Sequence, residues 1–226
     1  MNQNCNALVV YAKYPEPGKV KTRLAATIGE ILAAEVYSRF IHHIFKKHQR
    51  ADKKYDFLCA VAPANKLDSF KNTFSGPRTF IPQISKSDLG KRLFDTTQKV
   101  QNLGYNKIVI IGTDSPALPM QHIEQAFVAL DKGDLALGPT SDGGYYLIGM
   151  REPNQQIFES IRWSTEFTLK DTMKAANRTR LKYSLLPEHF DIDEGQDLHY
   201  LLQIDNEGIF PENLKSKIYA ALQEKI

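Results

Sequence analysis

Cysteine is scarce in this chain: two residues in 226, Cys5 and Cys59, far apart and without CxxC spacing. A disulfide framework and a cysteine zinc site are thereby excluded, leaving two reduced thiols in or near a core. Long apolar runs are missing too. None approaches the roughly 18 residues of a membrane span, so no span is expected. The opening MNQNCN has no basic segment, and the apolar run after it is too short for a signal peptide, so a cytoplasmic location is the simplest expectation. Neither charge dominates, with 29 Lys and Arg against 26 Asp and Glu, a net +3. No field for a polyanion arises, and no nucleic-acid partner is expected. The basic run 46–54, KKHQRADKK, reads as the cationic end of a helix. The six histidines show no HxxxH or HExxH spacing, which argues against a histidine metal site. No GxG occurs, so the dinucleotide fingerprint is missing. Gly18-Lys19 is followed by Val20, and Lys13 stands where a P-loop needs its first glycine.

What is present is the composition of a globular protein, 42% hydrophobic and 24% charged. The most informative stretch is Lys107–Pro116, KIVIIGTDSP. Its β-branched run between turn signals reads as a strand buried on both faces. Such a strand delivers Asp114 to its carboxyl end, where open α/β sheets bind ligands. The plainer alternative is a turn residue, with Ser115 capping the next segment. Further strands are expected at 6–12, 55–62, 79–81, 135–137, 145–150 and 183–186. Helices are expected at 31–49, 67–74, 87–103, 119–130, 166–177, 196–204 and 212–223. The face of the first is Ile31, Ala34, Tyr37, Ile41 and Phe45, Asn65 is a candidate cap for the second, and Ser87-Asp88 and Gly104 bracket the third. Lys13–Thr22 reads as loop. Strands and helices alternate to about residue 130, which implies a mainly parallel sheet with helices on both faces and a more mixed second half. No linker divides the chain, so residues 1–226 are expected to form one domain.

Three segments carry residues suited to chemistry. The loop after the first strand holds Lys13, Lys19, Lys21 and Arg23. At a sheet's carboxyl edge such a cationic loop suits a phosphate-bearing ligand; otherwise it is a solvated basic loop. In Leu137–Met150, LGPTSDGGYYLIGM, Asp-Gly signals a hairpin turn. The same turn offers Asp142 at a sheet edge, and Gly143 and Gly144 would let a ligand approach the backbone. In Phe190–Leu198, FDIDEGQDL, Asp191 and Asp193 share a face if the segment is extended. Oxygen ligands of this kind suit Mg²⁺, which often takes only one or two protein carboxylates plus phosphates. The alternative is an acidic helix start, with Asp197 near the N-terminus of the next helix. Trp163, in RWST, reads as a core residue before a ligand-stacking ring.

YAKYPEPGKVKTRLA, IGTDSPALP, LGPTSDGGYYLIGM, RWST and DIDEGQDL, in this order across residues 8–198, resemble the DUF2064 family. Its members are similar to nucleotide-diphospho-sugar transferases of the GT-A fold, and some are described as glycosyltransferases associated with arsenosugar biosynthesis. The resemblance implies an αβα sandwich whose first strands build a nucleotide-binding half. It implies that Lys21 and Arg23, with Lys13 and Arg92, lie on the donor-phosphate side, and that Asp114 holds Mg²⁺ or Mn²⁺. The usual second aspartate two residues on is Pro116 here, so Asp193 becomes the second candidate ligand. Asp142, with Gly143 and Gly144, falls on the acceptor side as candidate base. The chain departs from the expected pattern at Lys91, where an acid is expected, and at Glu194-Gly195, where Thr-Pro is expected. The implied activity is metal-dependent glycosyl transfer from a nucleotide sugar to a small-molecule acceptor. Two alternatives stand beside it: nucleotidyl transfer from an NTP, as in the guanylyltransferases of cofactor biosynthesis, and a non-catalytic nucleotide- or sugar-binding protein.

Overall fold

The computed structural model describes residues 5–49 and 54–223. The first four residues and residues 50–53 of the basic run 46–54 lie outside these. The strands are β1 (Asn6–Lys13), β2 (Asp56–Ala62), β3 (Thr79–Pro82), β4 (Lys107–Ile111), β5 (Leu135–Pro139), β6 (Tyr145–Met150) and β7 (Tyr183–Leu185). The helices are α1 (Thr22–Ile28), α2 (Glu30–His48), α3 (Leu67–Thr73), α4 (Leu89–Asn102), α5 (Met120–Lys132), α6 (Thr168–Arg178), α7 (Gly195–Ile204) and α8 (Glu212–Gln223). No helix among the described residues is long and apolar enough to cross a membrane.

All seven strands form one sheet in the order β3-β2-β1-β4-β6-β5-β7. β1 lies between β2 and β4 and is parallel to both, with Val10 opposite Cys59 on one side and Ile111 on the other. β3 extends the parallel run beyond β2. β6 alone runs against its neighbours β4 and β5, and β7 is parallel to β5. The chain winds outward from β1 to β3, then returns across β1 to β4. The connections therefore diverge between β1 and β4, which opens a crevice beyond their carboxyl ends. Because β6 is reversed, it is its first residue, not its last, that stands at this edge. The β5–β6 turn therefore joins the loops that follow β1 and β4.

Apolar side chains alternate across the strands, so each face of the sheet has its own cluster. On one face Leu8, Val10, Cys59 and Val109 pack against Tyr37, Ile41 and Phe45 of α2 and Ile123 of α5. On the other Val9, Leu58 and Ile110 pack near Leu93 and Val100 of α4. A third cluster does not touch the sheet: Leu24, Val36 and Phe40 of α1 and α2 meet Leu198, Leu201, Leu214 and Ile218 of α7 and α8. α2 is thus buried on two sides, and the closing helices add a partial further layer.

Three local expectations need correction. Thr22–Ile28 is helical, because Leu24 and Ile28 find an apolar face in α7 and α8 that local sequence does not reveal. Ile31 is 77% exposed: it lies in the first turn of α2, which starts at Glu30, and burial on this helix begins at Ala33. Asn65 does not cap α3, whose N-cap is Lys66, without a side-chain hydrogen bond. Elsewhere Asp88 caps α4 by accepting the Lys91 amide at 2.8 Å, and Gly104 takes φ 95° just after that helix.

Candidate active site at the carboxyl edge

The crevice is a cleft of about 750 Å³ at the scale of small-molecule sites. One wall is the end of β1 with residues 20–23. Another is Gly112–Asp114 beyond β4. The β5–β6 turn and residues 164–168 close the third side, and the segment 191–193 closes the fourth.

Tyr37 ties the first two walls together. Its hydroxyl accepts the Lys13 amide at 2.9 Å and the Thr113 hydroxyl at 2.8 Å, so β1 and β4 end on one buried phenol. Burial, reinforced by the charge of Asp114, pushes that phenol above its ordinary range, so it stays neutral. In sequence Tyr37 shows only as one more apolar position of a helix face.

The segment Asp191-Ile192-Asp193 lies extended beside Asp114, with the Ile192 amide donating to the Asp114 carbonyl at 2.9 Å. Alternation does the rest. Ile192 is fully buried in the helical cluster, and the two flanking carboxylates face the other way. Asp197 fastens the segment's far end, accepting the amides of Asp193 at 3.0 Å and Glu194 at 2.8 Å. Its reading as a residue of the helix start holds.

Lys21 occupies the centre. Its side chain is only 4% exposed. Its ammonium pairs with Asp114, reaches Asp193 Oδ1 at 3.1 Å and donates to the Ile192 carbonyl at 2.7 Å. Burial opposes its charge, but Asp114 and then Asp193 outweigh it and hold the ammonium above the usual lysine range. This corrects the expectation of an exposed, free cationic loop. Lys21 is already committed to carboxylates, whereas Arg23, 68% exposed, forms a looser ion pair with Asp193 at 3.7 Å. Lys13 lines the cleft from the end of β1, and Lys19 does not line it.

Asp191 is the residue that sequence reading undervalued. It accepts a hydrogen bond from the Ser115 hydroxyl, so Ser115 serves this carboxylate, while Pro119 is the N-cap of α5. Burial first, then the charges of Asp114 and Asp193, raise the Asp191 carboxyl to about 7, against the opposing pull of Ser115 and Lys21. The signal was present in the alternation Asp-Ile-Asp; its partner Ser115 was read as a cap.

Asp142 belongs to the hairpin turn. Its Oδ1 accepts from the Thr140 hydroxyl at 2.6 Å and the Gly144 amide at 3.0 Å. Gly143 takes φ 84°, and a Cβ there would collide with the backbone of Glu166. Its close approach is to this chain's own backbone, and it does not line the cleft, while Gly144 does. Arg92 enters from α4, its NH1 donating to Gln83 Oε1 at 3.2 Å, while its buried Nε has no hydrogen-bond partner among the described residues. Trp163 is partly buried and packs against the core cluster beside Phe158 and Gly90.

Among the described residues no group of three or more His, Cys, Asp or Glu side chains is arranged to hold a metal ion. The donors that remain are Asp114 and Asp193, 48% and 40% exposed and both within reach of one ammonium. Two hard oxygen donors fit Mg²⁺ or Mn²⁺ only in company with ligand oxygens such as phosphate.

Residues 45–165 match the model of a family described as an uncharacterized protein conserved in bacteria, DUF2064. The chain belongs to the DUF2064 family. It is also similar to a provisionally assigned nucleotide-diphospho-sugar transferase from Desulfovibrio desulfuricans, with 31% identity, 98% of each chain covered and a TM-score of 0.87. This DUF2064 protein therefore has the α/β fold of nucleotide-diphospho-sugar transferases. Two more distant structures share the fold alone. One is the inositol-1-phosphate CTP transferase of T. maritima, with 13% identity, 96% and 97% covered and a TM-score of 0.52. The other is Rv0371c of Mycobacterium tuberculosis in complex with manganese, with 13% identity, 89% and 100% covered and a TM-score of 0.52. No curated protein matches the chain by sequence.

Proposed function

We propose that this protein is a cytoplasmic transferase that takes a nucleotide sugar and passes the sugar to a small-molecule acceptor. The observation that carries this is convergence. Lys13, Lys21, Arg23 and Arg92, with Asp114, Asp142 and Asp193, all line one cleft at the carboxyl edge of the sheet. Kinship with the Desulfovibrio desulfuricans structure supports the donor class.

In this reading the donor's diphosphate lies along the wall of Lys13 and Arg23, with Arg92 lining the same cleft from α4. Asp114 and Asp193 are the residues that would hold Mg²⁺ or Mn²⁺, in company with phosphate oxygens. The ion supplies charge neutralisation for a leaving nucleoside diphosphate. Arg23, exposed at the rim, meets the same charge as it develops. The acceptor hydroxyl attacks the anomeric carbon, and the bond from that carbon to the diphosphate oxygen breaks with its electron pair. The hydroxyl proton passes to Asp142, the carboxylate on the opposite wall. The Oδ1 of Asp142 is engaged by Thr140 and Gly144, so the proton goes to Oδ2.

Nucleotidyl transfer from an NTP is the second reading, and one observation favours it. Asp142 already has a structural task in its turn, and a phosphate nucleophile, being ionised, needs no base. The deciding experiment is product analysis with Mn²⁺ or Mg²⁺ across UDP-, GDP-, CDP- and dTDP-sugars and the NTPs. Metal-dependent release of a nucleoside phosphate from a sugar nucleotide, slowed in Asp142→Asn, is the expected result. Pyrophosphate release from an NTP with every sugar nucleotide inert would replace it by the second reading. Nucleotide binding without turnover would point to a binding protein.

A further inference from the structure

Lys21 has three N–H donors and uses all three, on Asp114, Asp193 and the Ile192 carbonyl. None remains for a phosphate. Its backbone sits in the left-handed region at φ 47° and ψ 48°, an uncommon place for a residue with a long side chain. The anchor explains why the conformation persists: the ammonium, buried at the end of its stem, holds the turn into α1 in place. The point it occupies lies between the two carboxylates that suit a divalent ion.

We propose that Lys21 is the resident cation of this site, and that a divalent ion enters by displacing it. The proposal rests on reading Asp114 and Asp193 as the ion's ligands. An ammonium and a divalent ion cannot both occupy the space between the same two carboxylates, because each needs the same oxygens and they repel each other. Displacement frees the three N–H donors of Lys21 in the cleft, where a diphosphate is the natural acceptor. Ion and diphosphate therefore enter together. The ion alone must evict a satisfied buried ammonium and leave it unpaired, whereas with the donor present the ammonium moves from one anion to another. Lys21 thus acts as a positioning residue that offsets part of the carboxylates' charge without an ion and makes ion uptake conditional on the donor.

The test is Mn²⁺ alone, without nucleotide, titrated into the full chain and followed by the electron paramagnetic resonance signal of free Mn²⁺ and by melting temperature. Removing the competitor in Lys21→Met should tighten Mn²⁺ binding by about tenfold or more over wild type, and Mn²⁺ should raise the variant's melting temperature more than the wild type's. Arg23→Met removes the same charge from the same cleft without vacating the point between the carboxylates. It should tighten binding by no more than about threefold, since exposed charges are screened. If the methionine variant does not fold, Lys21→Gln keeps a flexible polar side chain without the charge and carries the same expectation. Equal Mn²⁺ affinity in wild type and the Lys21 variant, with binding abolished by Asp114→Asn, overturns displacement and leaves the ion site standing. Tightening of the same size in the Lys21 and Arg23 variants also overturns it, as a general charge effect. Mn²⁺ binding indifferent to Asp114→Asn overturns both the displacement and the ligand assignment.

Discussion

Asp142 and Asp193 face one cleft, yet one is held by residues two positions away and the other by a lysine 172 positions away. The Asp142 wall is local. A hairpin turn supplies its own donors, and the turn is pressed onto the backbone of Glu166. The Asp193 wall is assembled from distant parts: the loop after β1, the end of β4 and an extended segment whose central isoleucine is buried among helices. A local wall brings its own donors to its carboxylate, and its tie to the rest of the molecule is the backbone of residues 166–169. An assembled wall carries its charges as a group, so altering one member changes the others.

The largest effect should come from breaking the local wall. Gly143→Ala places a methyl against the Glu166 carbonyl in a left-handed turn. Overpacking and the backbone penalty together should destabilise by about 3 kcal/mol, read by urea denaturation. A loss under about 0.5 kcal/mol, the size of an ordinary surface change, would mean that the turn swings free of residue 166.

A smaller effect, dependent on pH, should mark the assembled wall. Asp191 titrates at about 7 in the folded protein, against roughly 4 when unfolded. The folded state therefore binds the extra proton between these values, and stability falls as pH rises from about 4 to 7. Asp191→Asn removes the ionisation. Its stability relative to wild type should climb through that window and level off above it, as measured by denaturation at stepped pH. A pH-independent difference would show that Ser115 and Lys21 keep Asp191 ionised throughout.

The smallest structural effect belongs to Arg23→Ala. With its side chain 68% exposed, unfolding free energy should change by less than about 0.5 kcal/mol. If Arg23 meets the diphosphate, calorimetry should show nucleoside diphosphate binding weakened by about 1.5 kcal/mol. Unchanged affinity would return Arg23 to the solvent.

Strand and helix periodicity carried most of the fold, because β1, β2 and β4 are buried on both faces and read as unbroken apolar runs. α1 escaped because seven residues with two large apolar side chains, Leu24 and Ile28, are too short a run for a periodic signal of their own. Their burial depends on α7 and α8, far along the chain. The site residues Asp114, Asp142 and Asp193 were legible as carboxylates at turns or in an acidic run. What could not be read was ownership. Sequence groups Lys21 with Lys13 and Arg23 as one basic loop, yet only the fold shows that Lys21 turns inward to three acceptors while Arg23 points out. The hydroxyls of Ser115 and Tyr37 escaped for the same reason, since their partners are 76 and 24 residues away or more.

The reversed strand β6 has a consequence for how this architecture can vary. β1, β2, β3 and β4 end at this edge with their last residues, and the chain after each must go on through a crossover to a parallel strand. The β5–β6 connection is a hairpin, entered and left at the same edge. It can be lengthened, shortened or exchanged without re-threading any helix or shifting a neighbouring strand. The wall bearing Asp142 is therefore a replaceable module beside a fixed one. Grafting hairpins of different length onto that turn is a direct route to new selectivity on that side of the cleft, with Lys21 and its carboxylates left untouched.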